Sequence, residues 1–230
     1  MINKNRITDV FFDLDHTLWD FEKNSALTFE KIFDELSLDL NLNKFLDTYE
    51  MVNHEYWKLY RENTISQTEL RYKRLIKTFQ AINFEPEPKI LAIISDKYIL
   101  YLSTYSNLIK GAISLLKYLK RKYNLHVITN GFEAVQHKKI INSGLSPFFE
   151  NIFTADKVGY KKPDPIIFRH ALDHTQTFAY NCLMIGDSLE ADVLGALNIG
   201  MQAIHFNSHN EPSHNHCPIV QNLDQISALL

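Results

Sequence analysis

Asp13 and Asp15 stand two positions apart at the end of an apolar run, Ile7-Thr8-Asp9-Val10-Phe11-Phe12, with a hydroxyl residue following at Thr17. If the run is a strand, alternation puts both carboxylates on one side of the chain. The carboxyl end of a strand is where open α/β sheets bind ligands. Carboxylates that close repel each other. A hard divalent cation such as Mg²⁺, which takes oxygen ligands and binds beside phosphates, would compensate them. Asp and Thr are also ordinary residues of a turn after a strand, and this stretch alone leaves both readings open.

Three later stretches carry groups suited to the same work. Thr129 and Asn130 follow Leu125-His126-Val127-Ile128, where a hydroxyl and neighbouring backbone N–H groups could hold phosphate oxygens. Lys162 lies in Gly159-Tyr160-Lys161-Lys162-Pro163-Asp164-Pro165, just before a helix start. Asp187 follows Cys182-Leu183-Met184-Ile185-Gly186, and Asp192 lies one helical turn further on. Taken singly each is weak: a lone Lys is usually a solvated charge, and a lone Thr usually caps something. Four compatible groups in order, at successive strand or loop ends, are hard to attribute to chance.

The elements that must position them divide at the middle of the chain. All seven glycines lie at or after position 111. The first half therefore reads as long helices and the second as short strands and helices with sharp turns. Near-helical apolar spacing predicts helices over 21–36, 45–60, 66–82 and 90–102. Ser66 and Glu69 have capping-box spacing at the start of the third. Short strands are expected at 125–128, 151–154, 182–185 and 202–206. Helices are expected at 112–122, 132–143, 165–172, 189–197 and 223–230. Strands alternating with helices argue for a parallel sheet. The expected fold class is α/β, a Rossmann-like parallel sheet in a three-layer αβα core. The sheet domain takes residues 1–17 and 106–230, and an all-helical cap, residues 18–105, is inserted after the first strand.

The chain is 230 residues long, 45% hydrophobic and 22% charged, with a formal charge of −3. That is the profile of a globular protein without the basic footprint of a nucleic-acid binder. No apolar run is long enough for a membrane helix, and no signal-peptide pattern precedes the first strand. Cys182 and Cys217 make no disulfide framework, and a cytoplasmic setting is expected.

Phe12-Asp13-Leu14-Asp15-His16-Thr17-Leu18, Ile128-Thr129-Asn130-Gly131, Lys162-Pro163-Asp164-Pro165 and Gly186-Asp187-Ser188…Asp192 resemble, in order, the four motifs of the haloacid dehalogenase-like hydrolases. The match runs over nearly the whole chain. The resemblance implies that Asp13 is a nucleophile forming an aspartyl-phosphate and that Asp15 is the general acid and base. Thr129 and the Asn130 N–H would bind phosphoryl oxygens, and Lys162, rather than Lys161, would neutralise charge. Mg²⁺ would be held by Asp13, the Asp15 carbonyl and Asp187, with Asp192 steadying Lys162 or a metal water, or serving structure alone. His16 departs from the pattern, standing where glycine is common.

The second aspartate disfavours dehalogenation and favours phosphoryl transfer. A Mg²⁺-dependent phosphomonoesterase acting on a small phosphorylated metabolite is expected. Similarity to the pyrimidine 5′-nucleotidase branch favours nucleoside 5′-monophosphates. Phosphoglycolate or sugar phosphates, a phosphomutase and a non-catalytic phosphometabolite sensor are the rivals. Phe21 and the cap aromatics could stack on a base, or form the cap's own core. Arg71, Lys73, Arg74 and Lys77 read as a solvated helix face that could also attract an anion. His205, His209, His214, His216 and Cys217 fit no zinc spacing. No nucleic-acid polymer or membrane is expected as partner, and the chain is expected to be a monomer or homodimer.

Overall fold

The protein is described by a computed structural model covering residues 2–230. Six parallel strands form one sheet in the order β3-β2-β1-β4-β5-β6. They are β1 Asp9–Phe12, β2 Asn124–Thr129, β3 Asn151–Thr154, β4 Cys182–Gly186, β5 Gln202–Phe206 and β6 Ile219–Val220. The central runs Val10–Phe12, Leu125–Ile128 and Leu183–Ile185 are buried on both faces, as a sheet flanked by helices requires. On one face Phe11, Ile128, Phe153 and Met184 pack with Ile167, Phe168 and Ala171. β1 lies between β2 and β4, in register Phe12↔Val127 and Phe12↔Ile185. Strand order turns back at that point, so the carboxyl ends of these three strands face one crevice.

Four helices separate β1 from β2 and its preceding helix: α1 Phe21–Glu35, α2 Leu42–Arg61, α3 Gln67–Ala81 and α4 Pro88–Leu102. The chain forms two compact units. One runs through Phe21 and resumes at Ser106–Leu230; the other is Glu22–Tyr105. In the helical unit Phe29 meets Phe45, Tyr49 and Tyr98 at 4.6–4.8 Å between ring centroids. Those aromatics are the unit's own core. Ser66 accepts from the Glu69 N–H while Glu69 accepts from the Ser66 N–H, closing the capping box of α3. Two prolines, Pro86 and Pro88, stand between α3 and the body of α4. Pro88 is the first residue of α4, where its missing N–H is no loss.

Arg74 corrects the expectation of a solvated basic face. It is 3% exposed, donates to Asn53 Oδ1 at 2.7 Å and lies 5.1 Å from the Tyr98 ring centroid. Its position on α3 is one turn from buried Leu70 and buried Thr78, so the helix carries it inward. Lys73 does stay at the surface, paired with Glu69, while Arg71 is partly buried and pairs with Asp96.

The remaining helices are α5 Ala112–Leu119, α6 Glu133–Asn142, α7 Ala155–Val158, α8 Pro165–Thr175, α9 Gly195–Leu197 and α10 Ile226–Leu229. The short α7 and β6 carry too few residues for a periodic signal. The segment expected as one helix over 189–197 is wound as a π-helix over Leu189–Leu194 before α9. Among the described residues, no helix is long and apolar enough to cross a membrane.

Candidate active site

Asp13 directly follows β1, and its N–H donates to the Ile185 carbonyl, so the sheet ladder fixes the backbone there. Lys162 is 2% exposed and reaches it from the loop before α8. Its ammonium donates to Asp13 Oδ1 at 2.5 Å and to the Ile128 carbonyl at 2.7 Å, and lies 2.6 Å from Asp192 Oδ1. Burial alone would favour the neutral amine. Asp13 and Asp192 outweigh it and hold the Lys162 ammonium above its usual range. Lys161, its neighbour, is turned elsewhere; burial lowers its pKa, with Asp156 acting the other way.

Asp192 comes within reach because the π-wound turn brings it back over the end of β4. The Ser188 N–H donates to Asp192 Oδ2 at 3.0 Å, and Ser188 Oγ accepts from the Ala191 N–H. A Cβ on Gly186 would lie 2.2 Å from Asp192 Oδ2, so only glycine fits under this carboxylate. Asp187 follows, accepting from Thr17 Oγ1 at 3.1 Å.

Thr129 ends β2, and Asn130 turns its side chain onto the backbone of Lys162. Asn130 Oδ1 accepts from the Lys162 N–H at 2.7 Å, and its Nδ2 donates to the Lys162 carbonyl at 2.9 Å. Asn130 therefore fixes the lysine loop with its side chain. The Asp15 carboxylate is held by α6. It accepts from Lys139 Nζ at Oδ1, 2.5 Å, and from Gln136 Nε2 at Oδ2, 2.8 Å. His16, in the turn after Asp15, has φ +62°, the left-handed conformation that explains why glycine suits that position.

Four residues near these groups lie outside the motifs, and a fifth, Thr17, lies within the first motif without an assigned role. Thr17 holds Asp187, and Gln136 and Lys139 hold Asp15. His205, wholly buried on β5, bonds the Asp187 carbonyl through Nε2 at 2.8 Å and His214 through Nδ1 at 2.9 Å. His209 Nδ1 lies 3.5 Å from Asp187 Oδ2. Part of the histidine-rich tail thus braces the end of β4. A usable signal existed for Gln136 and Lys139 alone: they are i and i+3 on the helix after Thr129 and so share a face.

The charges do not balance. One carboxylate oxygen from each of Asp13, Asp187 and Asp192 lies within 4.8 Å of the others. Three carboxylates against the Lys162 ammonium leave a formal charge of −2. Burial, helped by Asp192 and Asp187, pushes the Asp13 carboxyl well above the usual range, while Lys162 works the other way. Burial also raises Asp187; His16 opposes it and Asp192 adds to it. A buried, oxygen-only cluster with that excess suits a hard divalent cation.

A parallel sheet of this order with an acid-rich crevice at its switch point defines a Rossmann-like enzyme core. The chain matches the model of the haloacid dehalogenase-like hydrolases over residues 9–200 and belongs to that family. It is 32% identical over 207 residues to the pyrimidine 5′-nucleotidase PynA of Streptococcus pneumoniae, covering 89% of this chain and 86% of that one. It is 33% identical over 208 residues to the glyceraldehyde 3-phosphate phosphatase of Methanothermobacter thermautotrophicus, covering 86% and 85%. Among solved structures, the HAD-hydrolase YfnB of Bacillus subtilis, bound to magnesium, superposes with a TM-score of 0.87. The two are 27% identical, over 97% of this chain and 98% of that one.

Proposed function

We propose that this hydrolase is a Mg²⁺-dependent phosphomonoesterase working through a phosphoryl-enzyme on Asp13. The observation that carries it is the imbalance at Asp13, where a carboxylate sits between one buried ammonium and two further acids. The Asp13 and Asp187 carboxylates and the Asp15 carbonyl would hold the metal, which supplies charge neutralisation beside the transferring phosphoryl group.

An Asp13 oxygen attacks phosphorus in line and the ester oxygen leaves, taking a proton from Asp15. Asp15 then accepts a proton from the water that attacks the acyl-phosphate, returning Asp13 as carboxylate and releasing inorganic phosphate. Thr129, the Asn130 N–H and Lys162 hold the phosphoryl oxygens as their charge spreads. Asp192 acts through Lys162, keeping the amine protonated and aimed.

The substrate class we favour is a nucleoside 5′-monophosphate, supported by the similarity to the pneumococcal nucleotidase. A short-chain sugar phosphate is the second reading, supported by the similarity to the glyceraldehyde 3-phosphate phosphatase of Methanothermobacter thermautotrophicus. A panel of both classes, with Mg²⁺, with EDTA and with Asp13→Asn, tests the proposal. Release of phosphate that EDTA and the variant both abolish is expected. Wild-type protein inert across the panel with Mg²⁺ present refutes it.

A further inference from the structure

We infer that Gln136 and Lys139, one turn apart on α6, form a clamp that positions two groups of the reaction at once: the Asp15 carboxylate and the Thr129 hydroxyl. The inference rests on the phosphomonoesterase reading and assigns that chemistry two further positioning residues.

Both side chains are buried, Gln136 completely and Lys139 to 2% exposure. Gln136 Nε2 has two hydrogens, and each has an acceptor: Asp15 Oδ2 at 2.8 Å and Thr129 Oγ1 at 2.7 Å. The amide orientation follows, because a flip would press its oxygen against the carboxylate. Thr129 Oγ1 also accepts from the Gly131 N–H at 3.1 Å. A hydroxyl offers two lone pairs and one proton. With both lone pairs taken, the Thr129 proton is the part left to donate, which a phosphoryl oxygen requires. Gly131 makes room for this: a Cβ there would lie 2.2 Å from Gln136 Nε2.

Lys139 closes the clamp from the other side. Its ammonium donates to Asp15 Oδ1 and lies 4.2 Å from the Trp19 ring centroid, a π-face that offsets part of its desolvation. Each oxygen of Asp15 therefore accepts one of these bonds and keeps a lone pair for the proton it relays, and α6 sets the plane of the carboxylate. A proton relay to a leaving oxygen depends on such alignment. A buried ion pair that served only the fold would need neither the shared amide nor the link to Thr129.

The leaving group separates positioning from folding. An alkyl phosphate needs a proton on its departing oxygen; 2,4-dinitrophenyl phosphate does not. Lys139→Met should lower kcat/KM for the alkyl ester on the order of 10²-fold, and for the dinitrophenyl ester by less than about fivefold. Asp15→Asn should show the same contrast more steeply, and Lys139→Arg should recover part of the loss. Gln136→Met keeps the ion pair and the volume. It should raise the inhibition constant of inorganic phosphate roughly tenfold by releasing Thr129. Equal losses on the two esters, with phosphate inhibition unchanged in Gln136→Met, overturn the clamp while leaving the phosphatase intact. A wild type that cleaves neither ester removes the phosphatase reading and the clamp with it.

Discussion

Asp9 opens β1 and Asp13 directly follows it, four residues on; both are buried, and they behave in opposite ways. Asp9 accepts from Thr8 Oγ1 at 2.6 Å and from Asn124 Nδ2 at 3.2 Å, and His126 Nε2 lies 3.0 Å away. Burial works against its ionised form, yet these donors, His126 first, hold its pKa below the usual value. Asp13 has one ammonium and two nearby acids, and its pKa rises. Low exposure is common to both carboxylates, so it does not by itself separate them. The balance of donors against desolvation and neighbouring acids does. Asp9 is satisfied by donors within the protein, whereas under the proposed function a cation and a substrate would complete Asp13.

That contrast can be broken most forcefully at Asp13. Asp13→Asn keeps the shape and removes the nucleophile, so kcat should fall on the order of 10³-fold or more while the fold survives. Retained turnover would end the distinction. Next is the response to metal. A carboxyl whose folded pKa is raised disfavours the apo fold increasingly as pH climbs from the ordinary carboxylate value through the raised one. A cation binding the ionised form relieves this. Mg²⁺ at about a hundredfold excess over Kd should therefore raise Tm by roughly 5–10 °C near pH 7, and the gain should shrink as pH falls. Asp187→Asn should abolish it.

Asp9→Asn should do the reverse of Asp13→Asn. It should reduce stability by about 1–3 kcal/mol in urea unfolding, with kcat/KM changed less than about threefold. Because the folded Asp9 pKa is lowered, its contribution is present above the unfolded value and is lost as pH falls through the folded one. The gap between wild type and variant should accordingly close in acid. The smallest effect expected is at Ser66→Ala in the helical unit, about 1 kcal/mol from the lost α3 cap and none on chemistry.

The sheet and the candidate groups at its strand ends were legible because each rests on local signals. Parallel strands buried on both faces read as apolar runs, and Asp13, Asn130 and Asp187 directly follow such runs, whereas Lys162 lies on the loop before α8. What was illegible depends on approach across long sequence separations. Asp15 meets Lys139, Asp9 meets His126, and Asp187 meets Thr17 and His205, none of which a local pattern announces. Arg74 was misread because its charge was weighed above its helical phase, which places it with Leu70 and Thr78. The π-wound turn at Leu189–Leu194 was missed because π and α windings share much the same apolar pattern over six residues.

Rapid-quench mass spectrometry of the enzyme during turnover of a phosphate monoester, with peptide mapping, addresses Asp13 most directly. A transient phosphoryl adduct on the peptide spanning Asp13, absent from Asp13→Asn and from EDTA-treated enzyme, is the predicted result. Steady phosphate release with no adduct at Asp13, or with the adduct on another residue, would contradict it.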